Sequence, residues 1–235
     1  MQKTNKGMKI KIILVQPEYP ENLGLTARAM KNFGFKELFL VNPKAGKGEA
    51  RAKSRAAHAI DVLEKARVFK SLAKALEQVD YSVATTAKPA SGKKLFRTAI
   101  SPKNLAAKFS KTNAVLGIVF GRESSGLTNN EIKQCDFVAS IPSSVHYHTL
   151  NISHAAAIML YEFFSTQKGI GFKAASRETK KILLKKISGI VGNSATIQNK
   201  DSVILSFKAL VSRALVTEKE AKAMLTLLSE MERKG

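Results

Sequence analysis

The chain reads as a parallel α/β sheet followed by a small all-α appendix. Two observations carry that reading. First, short apolar runs at residues 10–15, 38–41, 82–85, 115–120 and 137–141 alternate with longer stretches of helical periodicity. The runs are continuously apolar, as expected of parallel strands covered on both faces. Second, the strand pattern stops after Gly171, and only amphipathic helical periodicity remains.

Each element has its own local reason. A helix over 23–33 ends before Gly34. The mixed stretch 50–66 is helical with a break near 58–61, and an edge strand follows at 66–69. A helix over 72–79 follows Ser71. The helix over 102–109 has Ser101 at its N-cap and Pro102 at its first position. Thr128 and Glu131 form a capping box for 129–134. The helix over 152–164 is strongly apolar. In the appendix, helices are predicted over 177–190, 202–215 and 218–233. Ser176 caps the first, and Thr217 with Glu220 boxes the third. Gly189, Gly192 and Asn193 mark the turn between the first two. The expected domains are residues 1–168 and 169–235.

Charge is the compositional outlier: 39 Lys and Arg against 18 Asp and Glu, a net +21. That excess points to a polyanionic partner, foremost nucleic acid. No acidic residue lies between Asp80 and Glu123, a span holding Lys88, Lys93, Lys94, Arg97 and Arg122. Lys44, Lys47, Arg51, Lys53 and Arg55 form a second cluster, and Lys180, Lys181, Lys185 and Lys186 a third. Each alone is an ordinary solvated face. Three clusters beside motif-bearing turns favour phosphate contacts. The lone cysteine, Cys135, reads as a small buried hydrophobe and fits a reducing, cytoplasmic compartment. No apolar run approaches the ~20 residues of a membrane span, so no membrane partner is expected. His146, His148 and His154 lack a companion ligand set, so no metal is expected. No Walker A and no convincing dinucleotide fingerprint is present.

Candidate chemistry gathers at strand ends, where parallel α/β sheets bind ligands. Asn22-Leu23-Gly24-Leu25-Thr26-Ala27-Arg28 follows the first strand through a Pro-rich turn. Thr85-Thr86-Ala87 closes the third. Val119-Phe120-Gly121-Arg122-Glu123-Ser124-Ser125-Gly126-Leu127 spans the end of the fourth. Ile141-Pro142 closes the fifth, and a loop leads to Asn151-Ile152-Ser153-His154-Ala155-Ala156-Ala157. Singly, Asn22 and Gly24 read as caps, Arg28 as a surface charge, and Gly121 and Gly126 as turn glycines. Their order and placement make the set specific.

In this order and spacing the segments resemble the three signature motifs of the SpoU branch of the SPOUT methyltransferases, most specifically the TrmJ-type tRNA enzymes. The resemblance covers roughly residues 9–164. It implies a C-terminal trefoil knot in the α/β domain, which periodicity alone does not suggest. It implies S-adenosylmethionine as cofactor, held by Thr85, Thr86, Ala87, Gly121, Ile141, His148, Thr149 and Leu150. It implies a catalytic set of Asn22, Arg28, Glu123, Asn151 and Ser153, with Arg28 offered across a homodimer. It implies tRNA as partner, and methylation of the ribose 2′-hydroxyl of nucleotide 32, a cytidine or uridine. RNA contacts are expected from Lys88, Arg122, Lys180, Lys181, Lys185 and Lys186. The family assigns proton removal to Arg28. A guanidinium stays charged in proteins, whereas a general base titrates near working pH, so a phosphate-binding role for Arg28 is preferred. The rival readings are a SpoU-type enzyme for rRNA or another tRNA position, and an inactive RNA-binding protein on the same fold.

Overall fold

A computed structural model describes residues 9–87, 99–166 and 174–234. The chain divides into two compact units, Met1–Gly171 and Phe172–Gly235.

The first unit is built on a six-stranded sheet with order β3-β2-β1-β5-β4-β6. Its strands are β1 (Lys9–Val15), β2 (Glu37–Val41), β3 (Arg67–Phe69), β4 (Tyr81–Thr85), β5 (Val115–Phe120) and β6 (Phe137–Ala139). Every pairing is parallel; Ile13, for example, lies beside Phe39 on one side and Val119 on the other. The sequence places all six, and the weak edge signal at 66–69 is the short, largely exposed β3.

Alternate residues of each strand face opposite sides of the sheet. One side buries Ile13, Phe39, Ala84, Val119 and Val138 under α4 (Leu72–Leu76) and α6 (Asn129–Gln134). On the other side Tyr81 and Phe137 both pack edge-on against Phe109 of α5 (Pro102–Phe109). The helices α1 (Pro20–Asn32) and α7 (Ile152–Ser165) pack against each other. Both faces are therefore covered, which is why the strand runs are continuously apolar.

The predicted break in the 50–66 stretch is real. Helix α2 (Ala50–Ala56) gives way to a 3₁₀ turn at Ala57–Ala59 and then to α3 (Ile60–Glu64). Ala57 sits at φ 49°, a conformation that side-chain-bearing residues rarely hold. Caps fall where the sequence put them: Ser101 accepts from Asn104 N, and Thr128 and Glu131 form the reciprocal box.

The connections diverge at β1 and β5. From β1 the chain proceeds to β2; from β5 it crosses to β6 beyond β4. These adjacent strands end at Val15 and Phe120, so the sheet's topological switch point lies between the turns that follow them.

The second unit holds three helices, α8 (Arg177–Asn193), α9 (Lys200–Ala214) and α10 (Glu218–Lys234). Leu183, Ile187 and Val191 of α8 form its core with Val211, Val216 and Ala221. Glu218 accepts from Ser176 N at 3.0 Å and Thr179 Oγ1 at 2.6 Å, tying the starts of α8 and α10 together. The turn between α8 and α9 falls later than the sequence predicts. Gly189, Gly192 and Asn193 do not form the turn; α8 runs through them because Ile187 and Val191 continue its buried stripe.

Candidate active site

Four polar side chains from three strand-end segments meet at the switch point. Asn22 lies in the first turn of α1, which opens with Pro20 at its start and no side-chain cap. Asn22 therefore caps nothing. Its side chain turns inward, 7% exposed, and donates from Nδ2 to Glu123 Oε1 at 3.0 Å. Its Oδ1 accepts from Asn151 Nδ2 at 3.0 Å. Asn151 Oδ1 in turn accepts from Ser153 N at 2.8 Å and Ser153 Oγ at 2.7 Å, capping α7. The bonds run in one direction, from the serine hydroxyl to the carboxylate, and such a chain fixes the orientation of both amides.

Glu123 is held from behind as well. Its Oε2 accepts from Glu18 N at 2.8 Å, while Glu18 Oε2 accepts from Ser124 N at 3.0 Å. Lys44 reaches Glu18 Oε1 at 2.9 Å. The Lys44 bond first, and the Ser124 bonds next, hold the Glu18 carboxyl down at about 2. A reciprocal clamp thus joins the turn after β1 to the turn after β5.

Asn22, Glu123 and Asn151 line a cleft of about 730 Å³. All eight residues expected to hold a cofactor line the same cleft: Thr85, Thr86, Ala87, Gly121, Ile141, His148, Thr149 and Leu150. Thr85 Oγ1 is tied to Val119 O at 2.9 Å, fixing the end of β4 against β5. A Cβ on Gly121 would collide with the backbone of Gly126 and Leu127, so only glycine lets this loop fold back so closely. Gly126 itself adopts φ 69°.

The remaining expected site residues are placed differently. Ser153 is buried and acts through Asn151 without lining the cleft. Arg28 is exposed on the outer face of α1 and does not line the cleft of its own chain. Arg122, expected on RNA, has its guanidinium engaged within the chain. It makes a bidentate pair with Glu131 at 2.9 and 3.0 Å and donates from Nε to Gln16 Oε1 at 2.8 Å. This pair raises the Arg122 pKa and lowers that of Glu131. Lys180 is only 4% exposed. It shares the stripe of Leu183 and Ile187, three and seven residues on, and that stripe faces the core. Lys181 and Lys185 face outward, and Lys186 is half-buried. Lys88, Lys93, Lys94 and Arg97 lie outside the described residues.

Gln16, Glu18 and Glu131 belong to the site's framework although the sequence did not single them out for it. Glu131 was visible only as a capping residue, because its partner Arg122 lies in a preceding loop. Among the described residues no group of three or more His, Cys, Asp or Glu is placed to hold a metal. No helix among them is long and apolar enough to cross a membrane.

The SpoU rRNA methylase family model matches residues 9–161, the unit that carries this cleft. The chain belongs to the SpoU methylase family. Its resemblance to a SpoU enzyme of TrmJ type is supported along nearly its whole length. It is 37% identical over 224 residues to the tRNA (cytidine-2′-O-)-methyltransferase TrmJ of Methanocaldococcus jannaschii, covering 92% of this chain and 97% of that protein. It is 33% identical to the Sulfolobus acidocaldarius protein of the same name, covering 95% and 94%. The crystal structure of TrmJ from Z. mobilis ZM4 superposes with a TM-score of 0.74 at 26% identity, covering 94% and 98%. As a SpoU chain, it brings the segments that resemble the family's motifs to the switch point described above.

Proposed function

We propose that this chain is an S-adenosylmethionine-dependent tRNA ribose 2′-O-methyltransferase acting as a homodimer on nucleotide 32 of the anticodon loop, a cytidine or a uridine. The observation that carries it is the near full-length similarity to proteins named as tRNA 2′-O-methyltransferases, which extends past the SpoU module into the helical unit. That extent favours the tRNA reading over an rRNA enzyme built on the SpoU module alone. The connected Asn22, Glu123, Asn151 and Ser153 network argues against an inactive relative.

The cleft suits the cofactor. Its volume lies within the roughly 300–1,000 Å³ of small-molecule sites. Ile132, Val138, Ile141, Leu150 and Met159 give an apolar lining suited to a purine ring, and the strand-end segments at Thr85–Ala87, Gly121 and His148–Leu150 line the same cleft. When bound, S-adenosylmethionine supplies an electrophilic methyl group on a sulfonium sulfur. The chain supplies position. One N–H of each amide, Asn22 and Asn151, is used in the network, which leaves each a second N–H for a ribose or phosphate oxygen. Holding the 2′-hydroxyl in line with the methyl contributes roughly 7–11 kcal/mol of barrier reduction.

Arg28 belongs to this reading as a group offered to the partner's cleft, where it holds the phosphate beside the target ribose. Ile158 and Tyr161 leave an apolar strip on α7 at 37% and 55% exposure, which a second copy would cover. The knot implied by the family, and a cytoplasmic site of action on tRNA, are part of the same reading. Lys181 and Lys185 on α8 offer phosphate contacts from the second unit.

The position is tested with tRNA transcripts carrying a single 2′-deoxynucleotide. Deoxy substitution at 32 should abolish methyl acceptance, and substitution at neighbouring loop positions should not. Full acceptance by the 32-deoxy transcript would move the target elsewhere.

A further inference from the structure

The basic cluster on α2 is not used by the cleft, and the fold presents it in a particular way. Gly24 is the reason α2 lies so close to α1. A Cβ there would overlap Ala52 O and approach Ala56 N and Arg55 Cβ at 2.8 Å. The motif glycine thus serves helix packing, and the strained backbone at Ala57 ends α2 at the same crossing. The result is a surface groove of about 370 Å³ lined by Glu21, Ala50, Arg51, Ser54 and Arg55. Arg51 and Arg55 are one helical turn apart and project side by side. Both are exposed, as are Lys53 and Ser54. The acidic group in the groove is Glu21, in a loose 3.4 Å pair with Arg51, which is 76% exposed. Among the described residues Arg55 and Lys53 have no acidic partner.

The groove adjoins the reaction site. Glu21 precedes Asn22 on α1, and successive helical residues point about 100° apart. The first turn of α1 therefore presents Asn22 to the cleft and Glu21 to the groove. We propose that Arg51, Ser54 and Arg55 form a docking site for the RNA phosphodiester backbone flanking the target nucleotide. Two guanidinium forks and a hydroxyl match the acceptor geometry of phosphate oxygens, and the weak Glu21 pair yields to them. This rests on the RNA-methyltransferase reading, but it makes its own claim about binding.

The test measures tRNA affinity over a salt series for the full chain and for the R51Q/R55Q and R51K/R55K variants. Each phosphate contact contributes a log-log slope of about 0.7–0.9, so R51Q/R55Q should flatten the slope by roughly 1.4–1.8 and weaken binding about tenfold or more. R51K/R55K should keep most of the slope, and E21Q, which frees Arg51, should tighten binding. S-adenosylmethionine affinity and thermal midpoint serve as controls for folding. An unchanged slope in a folded R51Q/R55Q protein overturns the proposal, as does loss of binding to anionic phosphatidylglycerol vesicles with tRNA affinity intact. Should the wild type bind tRNA without methylating it, the enzymatic reading fails while the docking site is still judged on its slope.

Discussion

Asn22 donates a side-chain N–H to Glu123 Oε1 at 3.0 Å, joining two segments 101 residues apart. Asn151 joins the same amide from 129 residues away. Three strand ends therefore share one orientation-specific lock. Asn22→Ala breaks it in the middle and leaves Glu123 and Asn151 each short of a partner. Turnover should fall by about 10²-fold or more, as for loss of a placed donor in a preorganised site. Cofactor affinity, measured by calorimetry, should change only a few-fold, because the loops at Thr85–Thr86 and His148–Leu150 do not bond to Asn22. Equal losses in both would show that Asn22 shapes the cofactor loops instead.

Arg28 lies outside its own chain's cleft, so a cross-dimer role makes a sharp prediction. Arg28→Ala and Asn22→Ala should each be nearly inactive alone. Mixed and re-equilibrated in equal amounts, half the dimers carry both variants, and each has one intact site. About one quarter of wild-type activity should return under independent-site statistics. If Arg28 serves its own cleft, no activity returns.

The Glu18 clamp gives a pH signature. Its carboxyl is held at about 2, below the usual 4.5, chiefly by Lys44. A depressed carboxyl adds stability that is full above its unfolded value and is lost as pH falls through the folded one. The thermal midpoints of wild type and Glu18→Gln should therefore differ above about pH 4.5 and converge as pH approaches about 2. A gap that stays constant across this window would assign the clamp no electrostatic weight.

Sequence carried the architecture well, for physical reasons visible in single elements. Continuous runs such as that of β5 need both faces covered, and caps such as Ser101 and Thr128 act within three residues of themselves. The cleft residues were also visible, since the motif segments sit at strand ends. What the sequence hid was long-range pairing. Arg122 looked like a free cation beside a glycine, yet Glu131 and Gln16 take its guanidinium. Gly24 looked like a cap, yet it makes room for α2. Lys180 differs: its charge groups it with Lys181 and Lys185, but its spacing to Leu183 and Ile187 puts it on the buried stripe.

That last distinction is measurable. Lys181→Gln with Lys185→Gln should lower the salt dependence of tRNA binding while leaving the fold intact. Lys180→Gln should instead destabilise the helical unit, by roughly 1–3 kcal/mol for a change at a buried polar site, seen as a lower thermal midpoint. A shared effect on RNA binding with no loss of stability would place Lys180 at the surface.

The enzymatic reading stands or falls on one product. The protein is incubated with tRNA and S-adenosylmethionine carrying an isotopically labelled methyl group, and the tRNA is digested to nucleosides for mass spectrometry. The expected result is a labelled 2′-O-methylribonucleoside, cytidine or uridine, formed by the wild type and lost in Asn22→Ala. Label on a base, or no label from a folded protein that binds both cofactor and tRNA, would contradict it.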